Sequence, residues 1–223
     1  MTNVIRNTAV YPREVLITNK VIKNTYMLLS LTLGFSAITA YLSMISNASP
    51  MGISTLLVYF GLLYLVSALS NSAWGILAVF ALTGFLGYTL GPMLNLILHD
   101  LSNGAEIIIT SFALTATIFL VLSGYAMSTK KNFNYLGGFL FTGITTVFIA
   151  SIIALFFNIP ALHLVISSAC ILISSGYILF ETSRIVNGGE TNYIMATISL
   201  YVQIFNLFVS LLHILTALSG RRY

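Results

Sequence analysis

Among the side chains that could move a proton or hold an ion, Glu181 has the most unusual setting. It lies near the end of a long apolar stretch with Arg184 three residues on, and it continues a polar series. His163, Ser167, Cys170, Ser174, Tyr177, Glu181 and Arg184 recur at alternating steps of four and three, which places them on one helix face. The next apolar stretch repeats the pattern with Ser199, Gln203, Asn206, Ser210 and His213. Two such stripes on neighbouring antiparallel helices are best buried against each other or against a wet cavity. There they serve as interhelical hydrogen-bonding groups or as a polar pathway. An ionised carboxylate inside a membrane span costs about 2.5–3.5 kcal/mol on insertion scales. Glu181 therefore reads either as a partner of Arg184 at the membrane interface or as a titratable group on that pathway. Glu181, Arg184, Gln203 and Asn206 form the candidate pathway or pH-sensing set.

Other chemistry is thinly represented. His99, His163 and His213 all fall on one expected side of the membrane, near Asp100 and Glu106, but without the spacing of a metal site. The chain has a single aspartate, no His-Glu-x-x-His and no Gly-x-Ser-Gly, so aspartyl-dyad, zinc-protease and rhomboid-like chemistries lack their residues. No glycine loop able to cradle phosphate is present. An enzyme is not expected, nor is a metal or any other cofactor. The lone Cys170 reads as a small packing residue.

The elements that must carry these residues follow from where charge is missing. Of 223 residues, 58% are hydrophobic and only 6% charged, against about 25% in a soluble domain. Residues 24–99 and 132–180 contain no Lys, Arg, Asp or Glu at all. A surface that poor in charge aggregates in water, which excludes a soluble enzyme, a nucleic-acid binder and a disordered chain. The fold class is all-α: a polytopic membrane bundle. Applying the roughly 20-residue span length between polar breaks gives seven helices, at 25–46, 51–70, 75–98, 105–127, 134–157, 161–183 and 193–218. Short connections make successive helices antiparallel neighbours. The apolar run from Tyr26 to Ile45 exceeds the h-region of a signal peptide and is expected to be a true first span. The domains are thus a cytoplasmic tail, 1–24, and a transmembrane bundle, 25–220.

Orientation comes from Lys and Arg. With the N-terminus cytoplasmic, Arg6, Arg13, Lys20, Lys23, Lys130, Lys131 and Arg184 lie inside, and Arg221 and Arg222 outside. Seven against two is a positive-inside signal. The terminal Arg221-Arg222 pair argues the other way, so a re-entrant last segment stays open as the alternative. Small and hydroxylated residues mark the packing faces. Thr32, Ser36, Thr39, Ser43 and Ser46 share one face of the first helix, and Gly87 and Gly91 form a small-xxx-small contact on the third. Pro92, inside that third helix, removes a backbone N–H and should kink it. The carbonyl it frees must find a partner in the protein.

Several stretches together resemble the Bax inhibitor family. They are Gly75-Ile76-Leu77-Ala78, Gly87-Tyr88-Thr89-Leu90-Gly91-Pro92-Met93-Leu94, Phe180-Glu181-Thr182-Ser183 and Gly188-Gly189-Glu190-Thr191-Asn192-Tyr193. Chance matches are common in apolar runs and rare in polar ones such as the last. The resemblance, which covers essentially the whole chain, implies a seven-helix bundle with its polar-striped last helix at the centre. It is closest to the branch of bacterial inner-membrane proteins that bind the ATP-dependent membrane protease FtsH and restrain it. In that branch the protease grips the cytoplasmic N-terminal tail, here residues 1–24 with Arg6, Arg13, Lys20 and Lys23. Besides FtsH, the expected partner is the lipid bilayer; no nucleic acid is expected. Other family members resemble pH-sensitive calcium leak channels gated by two acids on the last two helices. Carried over, the first acid falls on Glu181 and the second on Gln203. Glutamine cannot titrate, so the paired proton-sharing switch is absent, and Ca2+ leak is the alternative reading.

Overall fold

The computed structural model describes residues 10–154 and 160–220. The regular structure in these residues is helical: α1 (Val10–Ile45), α2 (Ser54–Leu69), α3 (Trp74–Asp100), α4 (Gly104–Thr129), α5 (Gly137–Ala154, entered through a 3-10 turn at Asn134–Leu136), α6 (Pro160–Val186) and α7 (Tyr193–Ser219). All seven expected segments appear as helices. Six are long and apolar enough to cross a membrane. The exception, α2, has 16 residues and a length of about 24 Å, short of the roughly 30 Å hydrocarbon core.

Helix ends fall where the sequence supplies turn chemistry. α6 stops in a Schellman motif. Gly188 takes a left-handed φ of 74°, its N–H donates to the Ile185 carbonyl at 3.3 Å, and the Gly189 N–H donates to Arg184 at 2.8 Å. Asn192 then caps α7, its side-chain oxygen accepting from the Ile194 and Met195 amides.

One boundary moves. No break occurs at residue 25, because α1 runs continuously from Val10 and carries Lys20 and Lys23, both exposed, on its early turns. Val21, between them, is buried in the main core with Ile185 and Ile194. Val21 and Ile22, with the buried Thr25 one turn on, seat this segment on the bundle despite its charges. Arg13 lies within the helix, and Arg6 lies outside the described residues.

α7 is the hub. It packs against α1, α2, α3, α4 and α6, whereas α5 rests mainly on α6. α2 reaches α5 through an edge-to-face contact of Phe60 and Phe148, with ring centroids 6.2 Å apart. Lipid tails supply no hydrophobic drive for helix association, so close approach must come from small residues. α1 and α3 achieve it at the expected places. A β-carbon at Gly87 would overlap the Ser36 carbonyl oxygen and the Thr39 hydroxyl, and one at Gly91 would overlap Ser43. Thr32, Ser36 and Ser43 are correspondingly buried. α3 continues through Pro92 to Asp100 without ending.

This contact predicts unequal glycine tolerance. Gly87→Ala should destabilise the protein by about 1–3 kcal/mol through overpacking against backbone. Gly34→Ala, whose added carbon meets nothing within 4 Å, should be neutral or stabilising by up to ~1 kcal/mol. Thermal unfolding of the two variants in detergent checks the difference.

Candidate functional site

The polar residues gather at two levels of the bundle. The first is centred on Tyr201 of α7, which is 1% exposed. Its hydroxyl donates to the Thr83 carbonyl on α3 at 3.1 Å and accepts from the Ser36 hydroxyl on α1 at 2.6 Å. One phenol thus joins three helices in a region where water cannot substitute. Thr197, one turn earlier on α7, directs its hydroxyl towards the α1 carbonyl of Thr25 at 3.3 Å and its own helix at Tyr193, 2.7 Å away.

The second level is the end of α6, where Glu181, Thr182, Ser183 and Arg184 each hold a different neighbour. The Thr182 hydroxyl meets those of Ser123 on α4, at 3.2 Å, and Tyr26 on α1, at 3.4 Å; Tyr26 and Ser123 also bond each other. Ser183 donates to the Lys131 carbonyl at 2.8 Å and accepts from the Phe133 amide at 3.1 Å, which pins the α4–α5 connection. Arg184 lies between two acids. It reaches both carboxylate oxygens of Glu181 at 3.2 Å and Glu190 at 3.3 Å, with its guanidinium 5.6 Å from the Phe180 ring centroid. The other Glu190 oxygen accepts from the Asn192 amide at 2.8 Å. Asn192 in turn donates to Ser70 and Asn71, in the α2–α3 turn, at 3.1 Å each. A chain of contacts therefore runs from the buried Glu181 through the α6–α7 loop to the α2–α3 turn.

Of the candidate set, Glu181 and Arg184 are brought together, and Gln203 shares no hydrogen bond with them. Glu181 and Gln203 are both buried, at 6% and 7% exposure. The Gln203 side-chain oxygen has no partner among the described residues. Asn206 is half-buried and His213 exposed, so the α7 stripe is sealed at Gln203 and Ser210 and open at its far end. Ser167 and Ser174 of the α6 stripe are buried, whereas His163 is exposed. Among the described residues no group of three or more His, Cys, Asp or Glu is placed to hold a metal ion.

Sequence spacing overlooked Tyr201, Tyr26, Thr182 and Ser183. A tyrosine in an otherwise apolar helix was the available signal, since a buried phenol seeks a partner. The partner itself is invisible until α1 and α3 are packed. Glu190 and Asn192 stood out only as part of a polar motif between two helices.

These contacts carry unequal energies. Tyr201→Phe should cost about 1–2 kcal/mol, because it removes two buried hydrogen bonds. Arg184→Ala strands a buried carboxylate and should cost more, about 2–4 kcal/mol, below the full value for a deeply buried pair because the Arg184 side chain is 31% exposed. Adding Glu181→Gln to Arg184→Ala should recover most of that loss. Equilibrium unfolding of the single and double variants measures the coupling.

Comparison with known proteins agrees with this architecture. The family model described as "Inhibitor of apoptosis-promoting Bax1" matches residues 18–220. The chain is 51% identical to the Escherichia coli K12 protein named "Modulator of FtsH protease YccA" over 203 residues, covering 91% of this chain and 92% of that one. The same figures hold for "Inner membrane protein YccA" of Escherichia coli O6:H1. An uncharacterized membrane protein of Vibrio cholerae is 47% identical over 200 residues, or 89% of each chain. With the match extending from the early turns of α1 to the end of α7, the chain belongs to the Bax inhibitor family.

Proposed function

We propose that this protein is a bacterial inner-membrane modulator of the FtsH protease that binds the protease and restrains it, without a catalytic activity of its own. The observation that carries the reading is the 51% identity, over nearly the full length of both chains, to a protein named for that role. The bundle suits a binding partner better than an ion path. Buried hydroxyls such as those of Tyr201, Ser36 and Thr182 tie helices together, and Arg184 pairs with the buried Glu181. In this reading all seven helices belong to the membrane domain and the N-terminus is cytoplasmic. Lys20, Lys23, Lys130 and Lys131 then lie on the inner side. Contacts with the protease run through lipid-facing helix surfaces and through the N-terminal segment, which the protease grips. The calcium-leak reading needs a second titrating acid, and the position that corresponds to it by family resemblance is Gln203, which cannot titrate.

Two measurements test this. FtsH should co-purify with the full-length protein, and removing residues 2–9, which precede α1, should lengthen the protein's half-life in cells containing active FtsH. Unchanged turnover together with no co-purification refutes the proposal. Reconstituted vesicles should show no calcium flux that depends on pH and is lost in Glu181→Gln; such a flux would favour the channel instead.

A further inference from the structure

α1 leads from the N-terminal segment straight into the bundle. It is one unbroken helix from Val10 to Ile45, so tension applied at the N-terminus is carried along its axis to Thr25, Tyr26 and Ser36. These three residues bond outward to three other helices. The Thr25 carbonyl accepts from Thr197 on α7 at 3.3 Å. The Tyr26 hydroxyl bonds Ser123 on α4 and, at 3.4 Å, Thr182 on α6. The Ser36 hydroxyl donates to Tyr201 on α7 at 2.6 Å. Against α3 the contact is steric, with Ser36, Thr39 and Ser43 abutting Gly87 and Gly91. A helix drawn along its own axis loads such contacts together rather than one by one.

α5, in mid-chain, is held differently. The hydroxyls of Thr142, Thr145, Thr146 and Ser151 all donate to carbonyls of α5 itself, and among the described residues no side-chain hydrogen bond joins α5 to another helix. Lipid tails give helices no hydrophobic reason to associate. The bonds and close packing of α1 therefore set how hard that helix is to withdraw. An ATP-dependent protease must unfold what it degrades, and forced unfolding is governed by the unfolding rate. We propose that α1 is the element that resists extraction. Its bonds to α4, α6 and α7 limit the rate at which FtsH, pulling on the N-terminal segment, takes the chain apart, so the protease stays occupied by a slowly processed substrate. This inference rests on the functional reading above, in which the protease grips that segment, and it gives the restraint a physical origin in the fold.

The test incubates the full-length protein with purified FtsH and ATP and follows loss of the intact chain. Ser36→Ala removes a bond from α1 to α7 and leaves that of Tyr201 to Thr83. Tyr26→Phe removes the bonds from α1 to α4 and α6. Ser183→Ala is the comparison, because it removes two bonds to the α4–α5 connection and none to α1. Both α1 variants should be degraded about 3–10-fold faster than the wild type, the worth of one net hydrogen bond, with co-purification of FtsH unchanged. Ser183→Ala should be degraded at the wild-type rate, even with its thermal unfolding lowered as far as theirs. Wild-type rates for both α1 variants, equal acceleration by Ser183→Ala, or no degradation of any variant would overturn this inference while FtsH binding stood. Failure of the wild type to bind FtsH would refute the functional reading, and this inference with it.

Discussion

A hydroxyl in hydrocarbon has no water to fall back on, and the Tyr201 hydroxyl shows how the bundle is organised around that constraint. By donating to Thr83 and accepting from Ser36, it holds α7 against α1 and α3 where apolar packing alone would leave the helices free to slide. The neighbouring glycines make this possible. Gly87 removes the bulk that would keep Ser36 away from α3, so small-residue packing and polar bonding act at one contact. Neither suffices alone: lipid competes equally well for apolar surface, while a polar group without close approach has no partner.

The same constraint explains the end of α6. Of four consecutive residues, Thr182 meets α4 and α1, Ser183 the α4–α5 connection and Arg184 the α6–α7 loop, while Glu181 is held by Arg184 of its own helix. Helical geometry spreads consecutive side chains by about 100°, so a short polar run near a helix end can pin every neighbour it has. Arg184 adds a link out to Glu190, and Asn192 continues it to the α2–α3 turn. The end of α6 therefore acts as a clamp across the bundle. Within this clamp the buried Glu181 is held by Arg184, while the Gln203 side-chain oxygen on α7 has no partner among the described residues.

Much of this was legible in the residues themselves. The stripe from Thr32 to Ser46 and the Gly87–Gly91 contact were visible as periodicity; Thr32, Ser36 and Ser43 are buried with both glycines, whereas Ser46 at the helix end is exposed. The α1 boundary was not, because Lys20 and Lys23 suggest a solvated tail, whereas Val21 between them packs into the core. Charge density cannot distinguish a tail from an amphipathic helix end whose lysines face outwards. The Glu181–Gln203 pairing was likewise uncertain from spacing: stripes on facing helices indicate which faces meet without indicating the relative height of their residues.

By itself, the order of residues determined the membrane class, the number of apolar helices, the ends of most of them and which faces are small or polar. Those properties depend on local composition and on the 3.6-residue period, and both can be read along a single chain. Tertiary structure decided which hydroxyl meets which carbonyl and that Arg184 rather than Gln203 holds Glu181. Each depends on the axial register and rotation of one helix against another. Such register comes from the sum of many weak contacts between residues far apart in sequence, and no single segment contains it.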